Sequence, residues 1–481
     1  MKKTLIIPSA GKATRLYPLS RHVPKVMIEI NGMPIFNLLY KKAREVGVEN
    51  IIVVVDKEHY KVFNSFITTN YSNADIEIII LIDEYPCGVA GSVLIGTSDH
   101  DCNENVVLIL SDTILNEKIT DENEFIYYSK LKGDMSRWCL LTLDGNNEYI
   151  ESFKDKPKDD NLKEGNVVIG VYGFKRDLYN DCLNYYSVDS SSELSNVFYE
   201  YMEHSKLKGI EIIRDGSWID TGTLNSLRVA EEKLFFTRGF NKMHSTQGLL
   251  IKSSTDKSTL INEYIWNKSM NKDMVPKIYS MKEDITSFTL YMEKLPYNNL
   301  GTILHFADAS IPFFEQTINN LLNTVDNKIH TNKQTVGANH TDNGNMFITK
   351  MIDRLHSELS GYSIPQELKH DFFVDLEDIS SKNSYFSNIH GDLILSNILF
   401  DPAMSRFFFI DGRGSYGKSY HIIGDVRYDY AKLYHSLDGK YEAIIYDLFD
   451  INDRGDEVVY FMSDEKQRCF DSAKKILVEH A

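Results

Sequence analysis

Cysteine is scarce in this chain: five in 481 residues, at positions 87, 102, 139, 182 and 469, with no C-x-x-C pair. Their scatter and odd number exclude a disulfide framework and a thiolate zinc site, and leave free thiols of a reducing compartment. Long apolar runs are missing as well. None reaches the roughly 18–20 residues that a transmembrane helix needs. The apolar stretch after Lys2 and Lys3 stops at Pro8, too short for a signal-peptide core. A soluble, cytoplasmic protein without a membrane span is therefore expected. Positive charge is in deficit, 52 Lys and Arg against 69 Asp and Glu, for a net charge of −17. That balance argues against a broad grip on nucleic acid but leaves nucleotides and other small anions open as ligands. Internal repeats and low-complexity tracts are absent.

What remains reads as packed domains. Hydrophobic residues make up 42% and charged residues 25% of the chain, near the globular average, so a disordered, collagen-like or coiled-coil protein is excluded. The length corresponds to about two to four domains. In the first 115 residues, strand-type runs at 4–8, 50–55, 76–82 and 106–110 alternate with helical spacing, as at 34–47. Continuous Val/Ile/Leu runs separated by helices predict a doubly wound α/β domain around a parallel sheet. Further strands at 138–143, 167–174 and 209–213 and a helix at 223–236 complete it. The texture then changes: strands at 247–253, 276–281 and 286–293 with a helix at 256–270, a mainly helical region from about 310 to 380, and an exposed polar loop at 327–345. This describes a two-lobed α+β module. The division falls at 1–237 and 238–481, with a junction that is neither Gly/Ser- nor Pro-rich, so the two modules are expected to pack together.

Two strings carry the chemistry. Residues 7–16, IPSAGKATRL, form a small-residue turn between strand and helix, where backbone N–H groups and a helix N-terminus can approach phosphate. Arg15 and Lys25 add cations; an ordinary βα turn with two solvated basic residues is the plain alternative. The string resembles the signature loop of the sugar-phosphate nucleotidylyltransferases, with Gly11, Thr14, Arg15 and Lys25 matching and Ala10 and Ala13 where glycine is frequent. An alanine at position 13 is costly if the backbone there needs positive φ. Further stations follow in family order: EYPCGVAGS at 84–92, Asp112 after the 106–110 strand, FKDKP at 153–157 and WIDTGT at 218–223. The resemblance implies a Rossmann-like nucleotidyltransferase domain. It assigns NTP binding to Ala10, Gly11, Thr14, Gly88, Ala90, Gly91 and Ser92, sugar-phosphate binding to Asp155 and Lys156, Mg²⁺ to Asp112 and Asp220, and catalytic roles to Arg15 and Lys25. A phosphomonoester oxygen would attack the α-phosphorus of an NTP and expel pyrophosphate, with cations and Mg²⁺ screening two anionic reactants and no general base required.

The second string is IHGDLILSNILF at 389–400, followed by Asp411 in FFFIDG. The spacing His-x-Asp-x4-Asn, a short apolar strand and a second Asp equals the catalytic loop and metal Asp of kinase-type phosphotransferases. The H-G-D variant resembles the aminoglycoside phosphotransferase and choline kinase superfamily, which implies a two-lobed protein-kinase-like domain with its own Mg²⁺. Asp392 would orient or deprotonate the acceptor hydroxyl, Asn397 and Asp411 would hold metal, and Lys252 with Glu263 would position the ATP phosphates. Residues 239–248 carry no G-x-G-x-x-G, so nucleotide clamping departs from the kinase pattern there. Asp425 and Asp429 read either as helix-start residues or as acceptor contacts, and Tyr416, Tyr420, Tyr428 and Tyr434 as core or as an aromatic wall.

A kinase makes a phosphomonoester and a nucleotidylyltransferase consumes one. The expectation is a bifunctional enzyme: an ATP-dependent kinase of a small hydroxyl compound, a sugar first, and a transferase joining its phosphate to CTP, UTP, GTP or dTTP, for surface glycan or capsule assembly. A choline-type amino-alcohol with a CDP-linked product is the second expectation, and a regulatory protein with one inactive domain the third. The ligands are thus ATP, a second NTP and a small acceptor, with no nucleic acid; oligomerisation stays open.

Overall fold

A computed structural model describes residues 2–84, 87–159, 162–183, 193–213, 216–234, 241–246, 248–308, 310–331, 333–336, 366–382, 384–414, 422–452, 455 and 457–481. Two compact units emerge: Met1–Leu234 with Tyr446–Ser463, and Phe235–Ile445 with Asp464–Ala481. Segment 446–463 lies with the first unit, although it comes more than 200 residues after Leu234 in the chain.

The first unit is built on a nine-stranded sheet. Its main path runs Ile150–Asp155, Cys139–Leu143, Glu164–Lys175, Asn105–Ile109, Lys3–Ser9, Asn50–Asp56, Glu77–Asp83. The last four are parallel, in the register Ile6↔Ile52, Leu5↔Val107 and Val53↔Ile80. Ile51 through Val55 are fully buried, as two-sided coverage of a parallel sheet demands. Thr4 and Asn50 lock the neighbouring strand starts by a side-chain hydrogen bond of 2.6 Å. The helix Ile35–Val46 ends where Gly47 turns left-handed and donates to Ala43 and Arg44. Glu164–Lys175 runs antiparallel to Asn105–Ile109, so the sheet is mixed beyond its parallel half. Strands Phe125–Lys132, Ile150–Asp155 and the short pair Thr113–Leu115 and Trp218–Asp220 were not foreseen. Their brief, polar-interrupted runs give weak periodicity.

Segment 446–463 folds as the hairpin Phe449–Ile451 with Val458–Tyr460. Phe461, fully buried, packs against Tyr40 and Tyr71 with ring centroids 5.6 and 6.5 Å away. Asn37 donates to the Tyr446 carbonyl at 3.1 Å, and Arg44 meets Asp450 at 3.1 Å.

The second unit opens with a four-stranded antiparallel sheet in the order Asn241–Thr246, Leu249–Ser254, Phe288–Glu293, Ile278–Glu283. The helix Lys257–Ser269 packs on it through Leu260. Beyond it come the helices Leu300–Phe306, Ile311–Lys328, Gln366–Ser381, Val426–Leu437 and Asp464–His480 and the hairpin Ile398–Asp401 with Arg406–Phe409. Of the loop expected at 327–345, Gln334–Val336 is a strand pairing with Ser384–Asn388, and 337–345 lie outside the described residues. No described helix is long and apolar enough to cross a membrane.

Candidate functional sites

In the first unit, Asp112 follows the buried strand Asn105–Ile109, and Asp220 ends the strand Trp218–Asp220. The pairing Asp220↔Thr113 brings the two carboxylates together. Thr221 strengthens this by donating its N–H and its hydroxyl to the Asp112 carbonyl, at 2.8 and 3.0 Å. A Cβ built on Gly222 would lie 3.0 Å from Asp112 Oδ2 and 3.0 Å from Asp220 Oδ1, so a glycine there keeps room between the acids. Lys25 Nζ sits 2.5 Å from Asp112 Oδ2, and Arg137 reaches Asp220 at 4.0 Å. Burial, then the charge of Asp112, raises the Asp220 carboxyl above its ordinary range. Two converging hard oxygen donors that disfavour each other's charge fit Mg²⁺.

A cavity of about 180 Å³ adjoins this pair, with Asp112, Asp155, Glu193, Asp220, Trp138 and Trp218 in its wall. The two indoles meet edge to face at 5.7 Å, and the Arg137 guanidinium lies 4.4 Å over Trp138. Lys156 takes φ 42, donates its N–H to the Trp138 carbonyl at 3.0 Å, and pairs with Glu193 and with Asp155, the latter at 3.3 Å. Burial opposes its charge, but Glu193 and Asp155 outweigh it and raise its pKa. Trp138, Arg137 and Glu193 were missed in the sequence. The tryptophan was legible only as a strand residue, and nothing in the polar run before Glu193 marks it.

The loop residues are placed less deeply. Gly11, Thr14 and Arg15 are exposed, and Ala10 is half-buried. Ala13 adopts φ 44, ψ 42, the left-handed conformation in which an alanine costs about 1 kcal/mol relative to glycine. The helix Gly88–Thr97 begins with Gly88 at φ 70. Ala90, Gly91 and Ser92 are buried within it, and Ser92 donates to Asp83 at 3.1 Å. Gly88 and Val89 at the start of the helix are less buried, and Val89 borders the cavity.

In the second unit, Lys252 is buried, with Nζ 2.6 Å from Glu263 Oε2 and 2.6 Å from Asp411 Oδ1. Burial works against the ammonium, but Asp411 and Glu263 outweigh it. Asp411 itself takes φ 59, strain of the kind that gathers at functional sites. Gly412 follows because a Cβ there would come within 2.1 Å of the Trp266 ring. Asn397 donates its amide N–H to the Asp392 carbonyl at 2.8 Å, which leaves the amide oxygen as the atom that could meet a cation. Its carbonyl accepts from Ile410 N–H at 3.0 Å, beside Asp411. One carboxylate and one amide oxygen suit Mg²⁺.

Asp392 is buried between two cations, Lys432 Nζ at 2.9 Å from Oδ1 and Arg413 Nη2 at 3.0 Å from Oδ2. Burial alone would raise its pKa; Arg413 and Lys432 hold it down at about 2. His390 is buried and accepts the Asp392 N–H on Nδ1 at 3.3 Å, while Nε2 faces the Ile410 carbonyl at 3.0 Å; burial lowers its pKa. Asp429, fully buried, receives the N–H groups of His390 and Gly391 at 2.7 and 2.8 Å. Asp425 caps the helix Val426–Leu437. Both aspartates are thus structural, and the acceptor-facing alternative falls away. Tyr428 is buried and Tyr434 41% exposed, so these two do not share a wall; Tyr416 and Tyr420 lie outside the described residues. Nothing in the residue order marks Lys432 and Arg413 as partners of Asp392.

Residues 4–235 match the nucleotidyl transferase family. Over 222 residues the chain is 30% identical to the bifunctional protein GlmU of Methanococcus maripaludis, covering 45% of this chain and 51% of that protein. Over 220 residues it is 24% identical to the D-glycero-α-D-manno-heptose 1-phosphate guanylyltransferase of Campylobacter jejuni, covering 45% of this chain and 93% of that protein. A UTP-bound UGPase from Acinetobacter baumannii superposes with a TM-score of 0.41 at 16% identity, over 48% of this chain and 92% of that one. The chain spans about half the length of the GlmU relatives that it matches. Residues 4–235 are thereby identified as a nucleotidyl transferase domain.

Proposed function

We propose that the chain phosphorylates a small hydroxyl compound in its second unit and converts a phosphomonoester and an NTP to an NDP-linked product and pyrophosphate in its first, in the service of surface glycan assembly. The observation that carries the first activity is the Asp112–Asp220 pair with Lys25 at its edge, inside a nucleotidyl transferase domain. Asp112 and Asp220 would hold Mg²⁺, which when bound supplies charge neutralisation at the reacting phosphates. Lys25 would leave Asp112 for the NTP phosphates, and Lys156 would leave Glu193 for the phosphomonoester. Both displacements exchange one ion pair for another, so neither cation is left unpaired, which matters most for the largely buried Lys25. Trp138 and Trp218 would cover the apolar faces of a sugar ring while Asp155 and Glu193 accept from its hydroxyls.

The second activity is supported by the grip of Glu263 and Asp411 on Lys252 and by Asp392 between Arg413 and Lys432. This is the residue set of a protein-kinase-like phosphotransferase. Lys252 would hold ATP phosphates, Asn397 and Asp411 would hold Mg²⁺, and Asp392 would orient the acceptor hydroxyl. An amino-alcohol is the second reading for the acceptor, favoured by the four carboxylates and two indole faces of the first unit's cavity.

Mass spectrometry of products from ATP, CTP, UTP, GTP and dTTP with pooled sugars, polyols and choline tests the proposal. A new NDP-sugar supports the leading reading, and CDP-choline moves support to the second. Asp112→Asn should abolish pyrophosphate release and spare ATP-dependent phosphorylation; Asp392→Asn should do the reverse. Loss of both activities in both variants would sink the two-site reading.

A further inference from the structure

We propose that Lys432 is the phosphoryl-binding cation of the second unit, a catalytic residue that leaves Asp392 to neutralise the γ-phosphoryl group during transfer. The inference rests on the phosphotransferase reading above and adds a residue to it.

The helix Val426–Leu437 presents three polar side chains to the loop at 390–397. Asp429 accepts from His390 and Gly391, Lys432 reaches Asp392, and the Ser436 hydroxyl accepts from Leu395 N–H at 3.1 Å. Their spacing, i, i+3 and i+7, is one face of a helix. Two of the three hold backbone and so fix the loop. Lys432 alone meets the side chain that would touch the acceptor. It is attached to a helix anchored on the same loop, so its ammonium is delivered to a defined place.

Charge explains what it is for. The segment Asp392–Asn397 reads DLILSN and supplies no cation. Lys252, held by Glu263 and Asp411, would be taken up by the α- and β-phosphates of ATP. A γ-phosphoryl lying between Asp411 and Asp392 would face carboxylates on both sides. Around Asp392, by contrast, two cations serve one carboxylate, so one positive charge is in excess and has an anion to gain. Arg413 keeps the carboxylate paired when Lys432 moves. The Lys432 side chain is 19% exposed, enough to turn without unpacking the helix.

In the step, the acceptor hydroxyl oxygen forms a bond to the γ-phosphorus while the bond from that phosphorus to the β,γ-bridging oxygen breaks. ADP leaves with the electron pair, and the hydroxyl proton passes to Asp392. In a loose transition state charge spreads over the three equatorial oxygens of the phosphoryl group, and Lys432, paired with Asp392, would meet that charge from the acceptor side. Such a cation acts more strongly on the transition state than on bound ATP.

The test needs no identified acceptor. Binding of MgADP, with and without orthovanadate, is measured by calorimetry for the full-length protein and for the Lys432→Met, Lys432→Arg and Lys252→Met variants; signal that survives Lys252→Met is assigned elsewhere. Wild type and Lys432→Arg should bind MgADP more tightly with vanadate. Lys432→Met should bind MgADP within about twofold of wild type yet lose roughly 100-fold of the vanadate-dependent tightening, the loss typical for one preorganised transition-state donor. The proposal is overturned if Lys432→Met tightens as wild type does, if it loses MgADP itself, or if wild type binds MgADP without tightening. Absence of any Lys252-dependent MgADP binding in wild type would instead overturn the phosphotransferase reading on which the proposal stands.

Discussion

Thr221 donates two hydrogen bonds to the backbone carbonyl of Asp112, one from its N–H at 2.8 Å and one from its hydroxyl at 3.0 Å. Residues 109 positions apart are thereby fixed so that Asp112 and Asp220 converge, and the space between them is what Gly222 leaves free.

Gly222→Ala should therefore act through the carboxylates. A methyl group 3.0 Å from both Asp112 Oδ2 and Asp220 Oδ1 must push one of them aside. Pyrophosphate release should fall by about 10²-fold, as for misplaced charge-stabilising groups, with an increased Mg²⁺ requirement. Kinetics over a Mg²⁺ series, beside a circular dichroism melt unchanged within a few degrees, checks this.

Phe461→Ala should destabilise the first unit although Phe461 lies near the end of the chain. The ring is fully buried against Tyr40 and Tyr71, and removing such a ring costs about 3–5 kcal/mol. Nucleotidyltransferase activity should be lost at a lower temperature than in wild type. An unchanged inactivation temperature would show that the hairpin is dispensable.

Glu442→Gln should change how stability depends on pH. Glu442 is fully buried, accepts from Ser396 N–H and the Ser436 hydroxyl at 3.0 Å each, and burial pushes its carboxyl up from 4.5 to about 7. A raised acid favours the folded state while neutral. Its contribution is therefore full below about pH 4.5 and lost as pH rises through about 7. Glutamine keeps an acceptor and removes the titration. The variant should match wild type at pH 4.5 and exceed it by roughly 1–3 kcal/mol at pH 8, read from denaturant melts at the two pH values.

Asp429→Ala should abolish ATP-dependent phosphorylation without touching a substrate-facing group. It strands the buried N–H groups of His390 and Gly391, at a cost of about 1–3 kcal/mol each. Asp429→Asn, which keeps one acceptor oxygen, should recover part of the activity. Equal loss in both variants would point to the charge of Asp429 rather than to its acceptor geometry; rates and melts of the pair decide.

Much of this protein was legible in its residue order. Strongly patterned runs such as NIIVVV and VVLIL mark buried parallel strands because nothing else accommodates continuous β-branched and aliphatic residues between helices. Asp112, Asp220, Asp392 and Asp411 could be found because each ends an apolar strand or sits in a fixed-spacing string. Ala13 was marked as a position where positive φ would be costly, and it does adopt φ 44. Weakly alternating strands such as Phe125–Lys132 were not legible, since only the first half, FIYY, is buried and the second half carries the exposed Lys130 and Lys132. Tertiary structure alone decided which groups meet. It seats Phe461 on Tyr40, aims Glu193 at Lys156, and sets Lys432 and Arg413 against Asp392. Spacing is a local property that chain stereochemistry imposes on sequence. Partnership between distant side chains depends on how elements pack, and where a charge is buried, as at Asp392, its pairing is obligatory because an unpaired charge there is too costly to keep.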